Sequence, residues 1–117
     1  MERVIRKSLE DILQSIDEIN GFFENRERRF DVFVRDVCLH RAVQMDIAII
    51  GEAMNRILKL EPNNPITAAR RIVNTRNYMI HGYDSLNYET MWGIVMRHLP
   101  ALESEILSLI GNTDDDE

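Results

Sequence analysis

Residues 5–19 read IRKSLEDILQSIDEI and introduce the pattern that recurs along the chain. Isoleucine or leucine stands at positions 5, 9, 12, 16 and 19. This spacing places all five side chains on one face of an α-helix, opposite the charged residues. The stretch therefore predicts an amphipathic helix with one apolar seam, which ends at Asn20-Gly21.

A second helical pattern runs over residues 31–60, apolar across a broad arc as expected of a central helix. Residues 22–30 before it are aromatic and then charged, which indicates a connector with a short helical turn. Cys38 lies in the apolar part of the central pattern, so we expect a buried, unreactive thiol.

A third helix is predicted over residues 65–80, because Asn64 is placed as an N-cap and Pro65 at the first helical position. Gly82 is its expected stop. A last helix follows from Asn87 as N-cap to about Ile110, with Pro100 interrupting and bending it. Its apolar seam comprises Trp92, Val95, Leu99, Leu102, Ile106 and Leu109.

Together these patterns predict an all-α fold. No strand-like alternation competes with the helical periodicity, and the seams suit near-antiparallel packing. We expect an up-down antiparallel bundle of four main helices, with a short extra helix in the connector. Residues 1–111 would form the helical domain, and residues 112–117 a disordered acidic tail.

Composition limits the classes of function. At 117 residues and 44% hydrophobic content, the chain suits one globular domain. No apolar run approaches the length of a membrane span, and a single cysteine fits a reducing cytoplasm. The net charge of −6 disfavours a broad basic face, but the acidic tail carries four of those charges. A local site for RNA phosphate is therefore compatible with the composition.

The stretch Arg76-Asn-Tyr-Met-Ile-His81-Gly-Tyr83 carries the residues best suited to chemistry. Arginine is a permanent cation that pairs with phosphate, and histidine exchanges a proton near neutral pH. Together they suffice to cleave a phosphodiester without a metal. On one continuous helix, however, Arg76 and His81 would point about 140° apart. Either the helix unwinds near His81, or a two-fold dimer brings two copies of the motif into one cleft.

Each of these residues also has a plain structural interpretation. An isolated Arg-x4-His spacing is usually a surface coincidence, and Tyr83 suits a loop aromatic that packs on the bundle. Arg70 and Arg71, before the motif, could extend a phosphate path or simply form a solvated helix face. His40 and His98 lie within helical patterns and favour structural roles. No histidine or cysteine spacing matches a metal site.

The motif resembles the RX4HXY motif of HepT-like proteins in the HEPN superfamily. Two flanking stretches resemble the same family: residues 41–53, which include Arg41-Ala42-Val43 and Ile49-Ile50-Gly51-Glu52-Ala53, and Leu99-Pro100-x-Leu102 after Trp92. The similarity covers roughly residues 3–110 in the same order.

This resemblance implies a homodimeric, all-α ribonuclease toxin that needs no cofactor and has its cleft between the protomers. It implies Arg76 and His81 as catalytic residues, with Asn77 ordering the site. It also implies neutralisation by an MntA-like nucleotidyltransferase antitoxin that transfers AMP to Tyr83. The alternative is a non-catalytic HEPN dimer that binds a nucleotide or a nucleotidyltransferase.

Overall fold

The computed structural model describes residues 1–74 and 87–115, with side chains up to residue 112. Every regular element within these ranges is helical, which confirms the all-α prediction. The helices are α1 (Arg3–Phe22), α2 (Phe30–Arg35), α3 (Val37–Leu60), residues 69–74, α4 (Tyr88–Gly93) and α5 (Leu99–Asp115), with a π-helical turn (Ile94–His98) between the last two. None of these described helices is long and apolar enough to cross a membrane.

The core lies between α1 and α3. All five apolar side chains of the predicted α1 seam are at most 5% exposed, so that seam is confirmed. They pack against α3, which runs alongside α1 and has its own buried row. This row comprises Leu39, Val43, Ile47, Ile50, Ala53, Met54 and Ile57. Each large side chain buried here contributes about 1.5–3 kcal/mol, so this interface stabilises the fold more than any surface ion pair.

The predicted central helix is two helices, because the chain breaks at Asp36. The Asp36 carboxylate accepts a hydrogen bond from the backbone N–H of Leu39 at 3.0 Å and thereby caps α3. It also pairs with Arg26 at 2.6 Å. The Leu39 N–H, and secondly Arg26, hold the pKa of Asp36 below its ordinary value. A cap inside an apolar pattern was not anticipated from periodicity.

Two further predictions near α3 need correction or refinement. Cys38 is exposed and not buried: it lies in the first turn of α3 and is not part of the buried row of that helix. His40 is buried, and its Nδ1 lies 3.2 Å from the carbonyl oxygen of Phe33. His40 therefore has the structural role that its helical position indicated.

The interruption of the last helix lies directly before Pro100 and takes the form of the π turn. Within it the N–H of Leu99 bonds to the carbonyl of Ile94, five residues back. Proline has no N–H to donate to residue 96, and a wider turn accommodates that loss. The helix then continues to Asp115, five residues beyond the predicted end at Ile110. A disordered tail stays a prediction for residues 116–117, which lie outside the described ranges.

Polar side chains on α1 fix its position against α3. Ser8 is buried and accepts a hydrogen bond from Nε of Arg56 at 3.1 Å, while Asp11 pairs with the same guanidinium at 3.3 Å. Farther along, the buried Asp46 of α3 meets Ser15 and Glu18 of α1. Burial, and secondly the Glu18 carboxylate, raise the pKa of Asp46 to about 7.

We predict that Asp46→Asn increases stability in a pH-dependent way. The folded-state pKa of Asp46 lies above its unfolded value of about 3.9, so its stabilising contribution is complete below pH 4 and is lost as the pH rises to about 7. Urea unfolding of both proteins from pH 4 to 8 should show the variant gaining roughly 1–2 kcal/mol relative to wild type over this range.

Asp17→Asn is the matched control, because Asp17 is an exposed carboxylate on α1. Its effect should stay within about 0.5 kcal/mol at every pH. Parallel pH dependence in the two variants would show that Asp46 and Glu18 do not share a proton in the folded protein.

Candidate active site

The predicted catalytic stretch lies outside the described residues. This applies to Arg76, Asn77, His81 and Tyr83, and to the predicted helix end at Gly82. The structure describes the chain on both sides of this stretch, from Ile66 to residue 74 and again from Asn87. It therefore shows how the two ends that lead into the motif are held.

The leading end starts later than predicted. Asn64 does not cap a helix; its Oδ1 accepts from the N–H of Ile66 at 3.1 Å in a local turn, and helical residues begin at 69. The start of this helix is held by Glu105 of α5, whose carboxylate accepts from the N–H of Thr67 at 3.0 Å and from its hydroxyl at 2.6 Å. A carboxylate at a helix N-terminus satisfies an otherwise unpaired N–H and complements the helix dipole.

Apolar burial completes this anchor. Ile66, Ala69 and Ile72 are 4–9% exposed, and all three belong to the main core. The helix that leads into the motif is thus fixed along one side before residue 75 is reached.

The far end is held by a predicted cap and by aromatic packing. The Asn87 side chain accepts from the N–H of Thr90 at 3.0 Å, which confirms its predicted role as N-cap. Tyr88 packs edge-on against His40, with ring centroids 4.9 Å apart, and against Phe33 at 6.5 Å. Trp92 lies 5.3 Å from Phe33 in the same cluster. The chain is therefore anchored again within five residues of Tyr83.

Both arginines before the motif are exposed, as either of their predicted roles requires. Arg70 lines a shallow polar cleft with Asn64 and Thr67, at the start of its own helix. Arg71 borders this cleft and also a second, largely apolar cavity, together with Glu89 and His98. Arg70 thus lines the polar cleft, and Arg71 lines both the polar cleft and the apolar cavity.

Sequence reasoning missed this second cavity. The helical pattern favours a structural role for His98, and no motif singles out Glu89. Gly93, which also lines the cavity, is the available signal, because a residue without a side chain leaves space beside it. In the described ranges no group of three or more histidine, cysteine, aspartate or glutamate side chains could hold a metal ion.

The fold and motif together define the class of protein: an all-helical domain with an Arg-x4-His-x-Tyr motif between two anchored chain ends. A family model described as "Ribonuclease HepT-like" matches residues 12–109, which include the whole motif. The chain belongs to this HepT-like ribonuclease family.

Curated relatives agree with this assignment. The chain is 28% identical over 110 residues to "Putative RNase MJ1216" of Methanocaldococcus jannaschii, covering 93% of this chain and 89% of the relative. It is 29% identical to "Putative RNase TTE0752" of Caldanaerobacter subterraneus, covering 90% and 93%. It is 31% identical to "Probable ribonuclease HepT" of Thermococcus cleftensis, covering 93% and 98%. No solved structure matches the chain.

We predict that Glu105→Ala weakens the leading anchor. The N–H and hydroxyl of Thr67 lose their shared acceptor, which should lower the free energy of unfolding by about 1–2 kcal/mol. Hydrogen exchange should accelerate at the backbone amides of residues 67–74. Glu103→Ala, two residues away on α5, is the control and should leave both measurements close to wild type. Unchanged exchange at residues 67–74 in Glu105→Ala would contradict the anchor.

Proposed function

We propose that this chain is the toxin of a toxin–antitoxin pair and acts in the cytoplasm as a metal-independent ribonuclease. The observation that carries the proposal is the position of Arg76 and His81. They lie inside the region that matches a ribonuclease family, between two chain ends that the described residues hold firmly. The relatives named as ribonucleases support the same activity.

The proposed chemistry uses the nucleophile that RNA already contains. The 2′-hydroxyl attacks the neighbouring phosphorus, the bond to the 5′-oxygen breaks, and a 2′,3′-cyclic phosphate remains. The proton of the 2′-hydroxyl ends on the departing 5′-oxygen, and His81 acts as general base or general acid in this transfer, a contribution of about 10²–10⁴-fold. Arg76 pairs with the nonbridging oxygens as negative charge develops there. Asn77 orders these two groups, and Arg70 and Arg71 extend the contact to flanking phosphates.

A homodimer would reconcile this chemistry with helix geometry. Arg76 and His81 point apart if one helix carries both, whereas a two-fold axis beside the motif places two arginines and two histidines around one cleft. The cleft between protomers is therefore our proposed place of RNA cleavage.

Tyr83 is the proposed control point. An MntA-like nucleotidyltransferase would transfer AMP from ATP to the Tyr83 hydroxyl, releasing pyrophosphate. The added phosphate would pair with the arginines that otherwise bind RNA, and the adenosine would obstruct the cleft.

Mass spectrometry after incubation with such an enzyme and ATP should find one AMP on wild type and on Tyr78→Phe. AMP addition to Tyr83→Phe would exclude Tyr83 as the acceptor.

For catalysis, we predict that wild-type protein cleaves a mixed RNA pool in EDTA, whereas His81→Ala and Arg76→Ala each lower kcat/KM by at least about 100-fold. The reason is loss of proton transfer in one variant and of phosphate stabilisation in the other. Cleavage is followed on denaturing gels, with circular dichroism and size-exclusion chromatography to establish equal folding and assembly.

Arg3→Ala is the control, because Arg3 is an exposed arginine at the start of α1. It should cleave like wild type. Equal cleavage by all four proteins would indicate a contaminating nuclease. No cleavage by folded wild-type protein would favour the non-catalytic module that binds a nucleotide or a nucleotidyltransferase.

A further inference from the structure

A cavity of about 250 Å³ lies between α3, helical residues 69–74 and the α4–π turn region. Four isoleucines form much of its lining: Ile47 and Ile50 of α3, Ile72, and Ile94. All four are at most 9% exposed, so the cavity is cut into the hydrophobic core and is not a dip in a polar surface. Its size suits one ring system, because sites for whole drug-sized ligands start at about 300 Å³.

Polar groups of both signs also line this cavity. Arg71 comes from the helix before the motif, and Glu89 and Thr90 from the first turns of α4 after it. Arg71, Glu89 and Thr90 are all exposed, whereas the isoleucines are buried. An apolar interior with cationic and anionic groups toward solvent suits a flat, largely apolar ligand that carries donors on one edge and a phosphate nearby.

The π turn helps to shape this site. Ile94 and His98 are its first and last residues, and both line the cavity. A π turn adds a residue to the helical turn and shifts the side chains around it, and such turns occur frequently at functional sites. The π turn therefore contributes its first and last residues directly to the lining of the cavity.

We propose that this cavity binds an unpaired guanine base of the RNA substrate. This inference rests on the proposed ribonuclease function and names the base that the same site would recognise. The isoleucines contact the faces of the ring, and the Glu89 carboxylate accepts from the guanine N1–H and N2–H₂. Arg71 pairs with the phosphate of that nucleotide, and His98 or Thr90 donates to O6.

The choice of guanine follows from what a carboxylate can accept. Both oxygens of Glu89 are acceptors, so they match an edge with two adjacent N–H groups. Guanine has that edge, whereas adenine and cytosine each place one amino group beside a ring acceptor, and uracil places one N–H between two carbonyls. Unpaired bases in single-stranded RNA are free to enter such a cavity and to be read along this edge.

The first test is direct binding, which needs no catalysis. Isoleucine methyl NMR of the full-length protein is recorded with GMP, AMP, CMP, UMP, guanosine and inorganic phosphate. GMP and guanosine should shift the methyl signals of Ile47, Ile50, Ile72 and Ile94, while Ile12 and Ile16 of α1 stay unchanged. The other three nucleotides and inorganic phosphate should leave these signals in place. Equal shifts with all four nucleotides, or none with GMP, would overturn the proposal.

Glu89→Gln is the decisive variant, because its amide presents a donor where guanine needs an acceptor. It should weaken GMP binding by at least about tenfold, whereas Glu103→Gln on α5 should bind like wild type.

A short single-stranded oligonucleotide with one guanine should bind more tightly than GMP, since it adds phosphates for the arginines. Tighter binding of GMP would make this a site for a free nucleotide and overturn the assignment to RNA.

Mapping of cleavage sites separates this inference from the ribonuclease proposal. Wild-type protein should cut a random RNA pool with guanine enriched at one position near the cut, and Glu89→Gln should lose that enrichment while still cutting. Cleavage without base preference by wild-type protein would overturn the guanine assignment and leave the ribonuclease proposal standing. Guanine-specific shifts in a wild-type protein that cuts no RNA would overturn the ribonuclease proposal and leave only the base specificity of the cavity.

Discussion

The apolar interface between α1 and α3 forms the centre of the hydrophobic core on which the other described helices pack. Both helices bury a row of mostly isoleucine and leucine side chains. The apolar face of α3 is broad enough to contact other helices besides α1. Ile47 and Ile50 of α3 reach the cavity beside helical residues 69–74 and α4. Helical residues 69–74, which precede the motif, therefore share a cavity wall with the helix that packs on α1.

Two sets of contacts hold the chain on the two sides of the motif. Glu105 holds the backbone at Thr67, and Asn87 with Tyr88 holds the chain where it returns to the core. Neither contact involves a predicted catalytic residue. They hold the two described ends of the chain, at Thr67 and at Asn87, on either side of the stretch that carries the motif.

Much of the fold was predictable because helical periodicity is a local property. The α1 seam and the cap at Asn87 follow directly from the order of residues. So do four buried positions of the predicted last seam, Val95, Leu99, Leu102 and Ile106, whereas Trp92 and Leu109 are partly buried. The errors have two physical origins. The break at Asp36 rests on a side-chain cap at Leu39, which hydrophobic periodicity does not reveal. The helix start after Thr67 is held by Glu105, which is distant in sequence. The cavity is lined by residues from α3, the helix at residues 69–74, α4 and the π turn, so no single stretch of sequence predicts it.

The candidate catalytic residues came from a different kind of signal. Periodicity says nothing about Arg76 or His81, whose spacing even argues against convergence within one helix. Their motif lies within the region that matches the HepT-like family, and this supports the proposal of Arg76 and His81 as catalytic residues. The opposite holds for Glu89 and His98. No sequence motif gives them a functional role, and only their shared position at the cavity suggests one.

The proposed chemistry is tested most directly by cleavage of one RNA oligonucleotide in two forms, all-ribose and with a single 2′-deoxyribose 5′ to the cut phosphate. We expect wild-type protein in EDTA to cut the all-ribose form to a 2′,3′-cyclic phosphate and a 5′-hydroxyl end, and to leave the substituted phosphate intact. Equal cutting of both forms, with 5′-phosphate ends, would mean that water is the nucleophile and would contradict the proposed chemistry of Arg76 and His81.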